Sequence, residues 1–577
     1  RTALEADPEA IIVSSFSKYF GMTGWRLGWL ILPEELLTPA DNLAVNFFLC
    51  ASTPTQMAAL SCFTPEALAY IRSLGASHVW YIGLLEHATQ TDYSAHGIRP
   101  DHPDTVKGVA GSPYAVKDYY DVDPDLAEQP AERMAELEAL LERTHAAGLG
   151  FLMDFIPNHV ARSYHSDVCP EGVEDLGAGD DPALAFSLSN NFYYLPGTAL
   201  ELPRQSPELP RYSEQPARAT GNDCFSPSPS INDWYETIKL NYGVDYLGAT
   251  GLHTEPIPST WLKMRDILRY WAAKGVDGFR CDMAELVPEA FWGWCLPQLK
   301  AEFPRLLFIA EIYQPHRYAS YLAAGFDYLY DKVGVYDRLI AIGRGEAAPA
   351  DFTAARDAVG ALQPEMCYFM ENHDEQRLAS DFVYGDARRG FRSSLVAALS
   401  GTNPWMHYFA QELGERGMDA EGFSGRDGRT TIFDYWALDK LQRLERGGWG
   451  TQYLSEEEAE LLGDYRWLGR LLTSPIVQSG GYYGLHPSGE GCLAYLRHHE
   501  GELLLCLVSY AAETGTVQLP LPEDLFAQLG LREGALYRAE DLRTGETQLL
   551  SLSSWAALSL ELPACGYRVL ALRPLEA

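Results

Sequence analysis

The segment TPEALAYIRSLGASHVWYIGLL, residues 64–85, contains one helix–strand unit of a repeating fold. Thr64 and Pro65 supply an N-cap and a first-turn proline, and Gly75 ends the predicted helix. The apolar run that follows predicts a buried strand. Between about residues 63 and 410, short apolar runs alternate with helical patterns in the same way, which predicts a parallel sheet wrapped by helices.

Six further apolar runs predict later strands of this sheet, and each ends in a polar side chain. They are GLGFLMDFIPNHV, VDGFRCDMAE, LLFIAEIY, FDYLYD, MCYFMENHD and PWMHYFAQE. Barrel enzymes carry their catalytic groups at such strand ends, because the loops that follow the strands form the active face. Buried carboxylates also need partners, so packing alone does not explain Asp, Glu, His or Asn at each end. The pattern therefore predicts one functional face.

Two stretches depart from this alternation. Between His159 and about Asp245 the chain is rich in Gly, Pro and Asp, and a structureless loop of that length is rare, so we expect an inserted small domain. From about Gly480, alternating runs such as ELLLCLVSY predict a C-terminal antiparallel β-sandwich. The predicted units are an N-terminal fragment, a first barrel part, the insertion, a second barrel part and the sandwich, at 1–68, 69–160, 161–245, 246–479 and 480–577.

Composition and charge limit the class of partner. The 577 residues predict two to four domains, and the net charge of −35 would repel nucleic acid and anionic membranes. No apolar run reaches the roughly 18 residues of a membrane span, and the cysteines form no C-x-x-C pair that would indicate zinc or redox chemistry. We therefore expect a neutral ligand. The N-terminal stretch RTALEADPEA is no signal peptide, which favours a cytoplasmic location, while the oligomeric state stays open.

Two carboxyl groups are placed for glycoside hydrolysis with retention, which needs a pair about 5–5.5 Å apart. Asp282 in GFRCDMAE and Glu311 in FIAEIY end successive strands, and neighbouring parallel strands lie about 4.8 Å apart. Arg280 is two residues before Asp282, so both side chains share one strand face. A fixed positive charge there is expected to keep the nucleophile ionised.

Two further motifs contribute polar side chains at strand ends. DFIPNHV offers Asp154, Asn158 and His159, and ENHDEQR offers His373 and Asp374. A third carboxylate with two imidazoles is suited to gripping adjacent sugar hydroxyls and holding the ring distorted.

The ordered set DFIPNHV, GFRCDMAE, FIAEIY and ENHDEQR resembles the four signature regions of the α-amylase family of glycoside hydrolases (glycoside hydrolase family 13). YAVKDYYDVDP before them and PWMHYFAQELGE after them also fit, and the resemblance runs from about Ala69 to the C-terminus. It implies an α/β fold, a (β/α)8 TIM barrel with a domain inserted after the third strand and a C-terminal antiparallel β-sandwich. All three agree with the pattern described above.

The resemblance also implies roles at the matching positions. Asp282 becomes the nucleophile, Glu311 the general acid/base and Asp374 the third carboxylate of the cleaved subsite. Arg280, His159 and His373 become polar partners of the sugar. Tyr114 in SPYAVKDYY becomes the ring on which the sugar stacks. Asp154 would support Arg280. Simple packing remains the alternative for Tyr114, and a purely structural pairing remains the alternative for Asp154.

The sequence departs from the family pattern just after the nucleophile. Many α-amylases carry Lys-His there, whose His carbonyl binds a structural calcium, whereas this chain has Glu285 and Leu286. Asn158 matches a calcium ligand of the family, but the remaining ligands are not recognisable. Calcium therefore stays open, as does the choice between hydrolysis and glucosyl transfer.

The first sixty-odd residues belong to a different pattern. SSFSKYFGMTGWRLGW, residues 14–29, resembles the pyridoxal-phosphate lysine region of fold-type I aminotransferases, with Lys18 as the Schiff-base lysine and Ser15, Ser17 and Arg26 at the cofactor phosphate. The rest of an aminotransferase site would come from a large domain that this chain lacks, so we expect no pyridoxal-phosphate cofactor. The fragment stands where the first barrel strand should be, so that strand is expected to be missing or replaced. We expect AIIVSSF or GWLIL to fill the gap.

Three functions are therefore weighed. The first is a retaining hydrolase of α-1,4-glucosidic bonds in maltooligosaccharides, starch or glycogen. The second is an α-glucan transglycosylase, because the motifs do not encode whether water or a sugar meets the covalent intermediate. The third is a catalytically disabled glucan-binding chimera, because a barrel without its first strand has two unpaired edges.

Overall fold

The structure is a computed structural model that describes part of the chain. The described residues are 12–15, 28–31, 64–204, 206, 209–419, 427–488 and 491–575. Lys18, Ser17 and Arg26, which carry most of the aminotransferase resemblance, lie outside these ranges.

A curled seven-stranded sheet forms the centre of the fold, and its strands pair in parallel. From one edge to the other it contains Trp405–Met406, Met366–Phe369, Tyr328–Tyr330, Leu307–Ala310, Gly278–Cys281, Gly150–Phe155 and His78–Tyr81. Every predicted strand run contributes one of these strands. The prediction of a barrel-type parallel sheet is confirmed.

Helices alternate with these strands. The longer ones are Pro65–Ser73, Arg133–Ala146, Ser259–Ala273, Glu289–Glu302, Ala387–Leu399 and Glu456–Leu472, and the shorter ones are Tyr318–Ala324, Asp337–Gly343, Asp351–Asp357, Asp439–Arg446 and Pro475–Gln478. The first of them begins as predicted, because the Thr64 side chain accepts a hydrogen bond from the Ala67 amide and Pro65 occupies the first turn. Its buried Tyr70 hydroxyl donates to Glu412, 2.5 Å away, which fixes this helix against the last part of the barrel.

In the part of the chain that the structure describes, the sheet has two unpaired edge strands. Among the described residues, no strand lies between His78–Tyr81 and Trp405–Met406. A cavity of about 1600 Å³ is lined from both edges and reaches Arg280 inside the barrel. AIIVSSF and GWLIL do not close it, because their strands Ile12–Ser15 and Gly28–Ile31 pair with each other in an antiparallel two-stranded sheet. The prediction that one of them fills the gap is wrong.

The inserted segment contains only short strands. They pair as His159–Ala161 with Thr237–Lys239, Tyr194–Leu195 with Ala217–Arg218, and Val244–Asp245 with Gly251–Leu252. Part of the segment has its own small apolar cluster, which includes Leu195, Leu200, Leu202, Ala217 and Tyr235. One further pair, Leu85–His87 with Val116–Val122, borders the barrel. The predicted limits of the insertion stay predictions.

The C-terminal part consists of antiparallel strands. Six of them form one sheet in the order Gly481–Leu485, Cys492–His499, Glu502–Ser509, Tyr567–Pro574, Ala535–Asp541 and Thr547–Leu552. Gly515–Leu519 and Leu558–Leu562 form a second sheet, and helix Glu523–Leu529 lies between strands in the sequence. The two sheets share one apolar core, as a sandwich requires. None of the described helices combines the length and apolar character needed to cross a bilayer.

Candidate active site

Asp282 and Glu311 follow neighbouring strands at the same edge of the sheet. In the register of the two strands, Arg280 lies opposite Ile309, and the Glu311 amide donates to the Cys281 carbonyl at 3.1 Å. Both carboxyl groups therefore leave the sheet side by side. The adjacency predicted from the sequence is present.

Arg280 connects the acidic residues of the site. Its side chain is fully buried, and one guanidinium nitrogen lies 2.8 Å from Asp282 Oδ1 and 3.2 Å from Asp154 Oδ1. The other terminal nitrogen forms an ion pair with Glu311 Oε2 at 2.8 Å. Burial raises the pKa of Asp282, and the Arg280 guanidinium acts in the opposite direction. The predicted contacts of Arg280 with Asp282 and Asp154 are both observed.

Glu311 is held by donors on both of its oxygens. The Met283 amide donates to Oε2 at 2.7 Å, and the Tyr313 hydroxyl donates to Oε1 at 2.5 Å. Met283 has a φ of 42°, a left-handed conformation that is costly for a residue with a Cβ. Sequence reasoning missed both residues. Tyr313 lies two positions after Glu311, so the same alternation that paired Arg280 with Asp282 could have identified it.

Tyr114 and His373 form a stacked pair beside this centre. Their ring centroids are 5.1 Å apart at an interplanar angle of 18°, and the Tyr114 hydroxyl lies 2.7 Å from His373 Nε2. The same hydroxyl donates to Asp154 Oδ2 at 3.2 Å. The structure thus brings Tyr114 into the site, where its hydroxyl is tied to the Arg280 network.

Asp374 is the most open of the three predicted carboxyl groups. Its side chain is 49% exposed, and Oδ2 lies 3.1 Å from His373 Nε2. Partial burial raises the pKa of Asp374, but the charge of His373 and its hydrogen bond outweigh this effect and bring the pKa to about 2. Because the Asp374 carboxylate is exposed whereas that of Asp282 is buried, Asp374 is suited to binding a sugar hydroxyl.

His159 lies where the first barrel part passes into the inserted segment, and it pairs with Lys239 of that segment. It is 3% exposed, its ring lies 5.1 Å from that of Trp234, and burial followed by the charges of Lys239 and Lys107 lowers its pKa to about 3. The ring is therefore neutral at neutral pH. Trp234 was not singled out in the sequence, because it lies in the irregular insertion where no periodicity identifies a face.

The residues around Asn158 do not fit a calcium ion. Asn158 Oδ1 accepts a hydrogen bond from the Lys239 ammonium at 2.8 Å, and the same ammonium lies 2.5 Å from Asp223 Oδ1. A calcium ion would need that side-chain oxygen at about 2.4 Å and would then face a buried positive charge. We therefore assign no calcium to this position.

A second acidic cluster lies near the start of the barrel. Glu86, Asp118 and Asp121 are buried, and each offers a carboxyl oxygen within 4.8 Å of the others, a spacing that a metal ion could bridge. Arg133 already pairs with Asp121, and Lys117 Nζ lies 3.8 Å from Glu86. Neither oxygen of Glu86 has a hydrogen-bond partner. Burial, partly offset by Lys117, raises the pKa of Glu86 to about 9, so this carboxyl is protonated at neutral pH.

Comparisons with known proteins divide the chain in two. The family model "Aminotransferase class I and II" matches residues 1–72, which confirms the resemblance of the N-terminal fragment and ends inside helix Pro65–Ser73. An α-amylase, MalA, from Haloarcula japonica is 26% identical over 357 residues, which is 61% of this chain and 41% of that protein. An α-1,4-glucan:maltose-1-phosphate maltosyltransferase from Pseudomonas aeruginosa is 22% identical over 366 residues, 59% of this chain and 47% of that protein. The chain thus spans less than half the length of these curated relatives.

The fold has solved relatives over most of the chain. The crystal structure of a noncanonic maltogenic α-amylase, AmyB, from Thermotoga neapolitana superposes with a TM-score of 0.60 at 19% identity, covering 90% of this chain and 94% of that one. The predicted fold class, a barrel of the α-amylase type with a C-terminal antiparallel sheet, is thereby confirmed.

Proposed function

We propose that this chain is a retaining glycoside hydrolase that cleaves α-1,4-glucosidic bonds of maltooligosaccharides, starch or glycogen. The observation that carries this proposal is the buried Arg280 guanidinium, which contacts Asp282 and Glu311 at 2.8 Å each. Since the two carboxyl groups follow adjacent parallel strands about 4.8 Å apart, their spacing suits retention rather than inversion.

The chemistry follows from the two positions. The Asp282 carboxylate attacks the anomeric carbon while the glycosidic bond breaks, and Glu311 gives its proton to the departing oxygen. Glu311 then takes a proton from water, whose oxygen displaces Asp282 from the covalent glucosyl intermediate. Asp374 and His373 are placed to hold hydroxyls of the same sugar, and Tyr114 to stack on it. A neutral glucan also suits a chain with a net charge of −35, which would repel an anionic polymer.

Glucosyl transfer to a second sugar is the next candidate. Glu285 and Tyr313 lie on the side of the site that would meet the acceptor sugar. The two residues are joined there, since the Glu285 carboxylate accepts a hydrogen bond from the Tyr313 amide at 3.1 Å. A carboxylate there can bind an acceptor hydroxyl, and one curated relative is a maltosyltransferase. Product analysis with added maltose, and separately with added inorganic phosphate, tests this candidate. Elongated or phosphorylated products would replace hydrolysis as the proposed reaction.

The first experiment is reducing-sugar release from soluble starch and maltoheptaose. We expect activity in the parent chain and its loss in Asp282→Asn, whereas Asp439→Asn, at a side chain 80% exposed and distant in sequence from the site, serves as the matched control. Folded parent protein that binds maltoheptaose without turnover would instead support a disabled glucan-binding chimera. A protein that turns yellow with pyridoxal phosphate would revive the aminotransferase function.

The acid/base assignment has its own test. Glu311→Gln should lose activity on starch but keep part of its activity on α-maltotriosyl fluoride, since fluoride leaves without a proton. Added azide should then yield the α-glycosyl azide, because the anion attacks the covalent intermediate without needing a base. A β-azide, or equal losses on both substrates, would contradict the assignment of Glu311.

A further inference from the structure

Lys239 is a buried cation at the junction between the insertion and the barrel. It ends the short strand Thr237–Lys239 and is 2% exposed. Its ammonium contacts Asn158 Oδ1 at 2.8 Å and Asp223 Oδ1 at 2.5 Å, and lies 5.7 Å from the ring centre of Tyr246. Burying an ammonium is costly unless its partners are fixed, so this arrangement indicates a specific role.

The ammonium determines how Asn158 is oriented. With Oδ1 turned towards Lys239, the Asn158 amide nitrogen donates to the Gly221 carbonyl at 2.7 Å and lies 3.2 Å from His159 Nδ1. The backbone carbonyl of Asn158 accepts the Leu240 amide at 3.0 Å. Every side-chain polar atom of Asn158 is therefore engaged, and a flipped amide would place its donors against the ammonium.

The orientation of Asn158 in turn determines which ring nitrogen of His159 carries the proton. Because the amide nitrogen of Asn158 can only donate, Nδ1 of His159 acts as the acceptor and the neutral ring carries its proton on Nε2. The His159 ring also lies near the backbone of Tyr114, which acts to raise the pKa of the ring against the larger effect of burial. A continuous polar chain thus runs from Lys239 through Asn158 and His159 to Tyr114 in the proposed subsite.

We propose that the Lys239 ammonium takes the place of a structural metal cation at this junction and, through Asn158, positions His159 as a neutral ring against Tyr114. Lys239 is then a positioning residue, not a catalytic one. The part of the proposal that concerns the sugar subsite rests on the proposed function, whereas the cation and the state of His159 do not.

The first test uses the full parent chain and metal alone. We expect the same melting temperature in EDTA and in excess Ca²⁺, because the ammonium already neutralises Asp223 and occupies the Asn158 oxygen. A melting temperature that rises with Ca²⁺ and falls with EDTA, in the parent and equally in Glu86→Gln, which lacks one carboxylate of the other acidic cluster, would overturn the cation half of the proposal. This result does not depend on any activity.

The second test determines which ring nitrogen of His159 carries the proton. In protein labelled with ¹⁵N and ¹³C at histidine, the His159 ring, assigned by the loss of its signals in His159→Gln, should carry its proton on Nε2 alone. In Lys239→Met the Asn158 amide can turn its oxygen towards Nδ1, so both neutral tautomers should appear. An unchanged Nε2-protonated ring in Lys239→Met would overturn the positioning half.

A matched control separates positioning from loss of stability. Lys263→Met also removes a lysine that binds the insertion, through the Asp175 carbonyl and Asn191 Oδ1, but Lys263 has no contact with Asn158. We expect both variants to melt earlier, and only Lys239→Met to change the tautomer of His159. If the parent hydrolyses maltoheptaose, only Lys239→Met should lose about 10–100-fold in kcat/KM, the usual effect of losing a supporting hydrogen bond. Should Lys239→Met fail to fold, Asn158→Ala removes the amide that lies between Lys239 and His159. Both neutral tautomers of His159 should then appear, and an unchanged Nε2-protonated ring would overturn the positioning half.

Discussion

Replacing Glu86 by Gln should stabilise the protein, and increasingly so as the pH rises. The carboxyl is buried, neither oxygen has a hydrogen-bond partner, and its pKa is about 9 in the folded chain against an ordinary value of 4.5. At a pH between these two values, Glu86 is therefore protonated in the folded state and ionised in the unfolded state. Stability falls as the pH rises through this window, and no such effect exists below pH 4.5.

The size of the effect follows from proton linkage. Each pH unit between these two pKa values lowers the free energy of unfolding by about 1.4 kcal/mol. At pH 7 it is therefore about 3 kcal/mol lower than at pH 4.5. Glutamine keeps the shape and cannot ionise, which removes this term. For a cooperative unit of this size, 1 kcal/mol corresponds to about 1–2 °C in melting temperature.

The assay is thermal unfolding of the parent chain and Glu86→Gln at several pH values from 5 to 8. The difference in melting temperature should widen steadily with pH, while an exposed control, Glu523→Gln, should show a constant difference near zero. A gap between parent and Glu86→Gln that does not change with pH would refute the assignment of a buried, protonated Glu86.

Three further predictions concern the site and its support. Arg280→Lys should lower kcat on maltoheptaose by at least about 100-fold, since one ammonium cannot span Asp282, Asp154 and Glu311 as the planar guanidinium does; a loss under tenfold would contradict this. Tyr313→Phe removes the 2.5 Å hydrogen bond to Glu311 and should lower kcat by about 10-fold or more with little change in KM, and an effect on KM alone would assign Tyr313 to substrate binding instead. Gly75→Ala should destabilise the protein by about 2–4 kcal/mol, because φ is +88° and the new Cβ would lie 2.6 Å from Gly469; an unchanged melting temperature would show that the two helices separate freely.

The sequence predicts the parts of the site that repeat along strands. The spacing of Arg280 and Asp282, two residues apart on a buried strand, was sufficient to place their side chains together, and the structure has them 2.8 Å apart. The positive φ of Met283 could not be predicted, because no glycine marks it. Lys239 was equally hidden, since its partners Asn158 and Asp223 are far apart in the chain and meet only when the insertion folds back.

The same limit applies to the open sheet. The sequence indicated a missing strand, because the first barrel helix follows an aminotransferase-like fragment, but the alternation of apolar residues does not specify a pairing partner. AIIVSSF and GWLIL have the composition of strands and pair with each other. Composition predicts that a run becomes a strand, whereas the shorter closure between neighbouring runs decides which partner it takes.

The seam between the edge strands of the described sheet also influences the dielectric environment of the charges in the candidate site. Its cavity extends from the edge strands to Arg280, whose side chain is fully buried, so water in the cavity would lie near the guanidinium without contacting it. Coulomb attraction weakens in proportion to the effective dielectric constant. The strength of the ion pair between Arg280 and Asp282 therefore depends on how much water this cavity contains. A ligand or segment that excluded water from this seam would strengthen that ion pair without contacting the residues of the proposed sugar site.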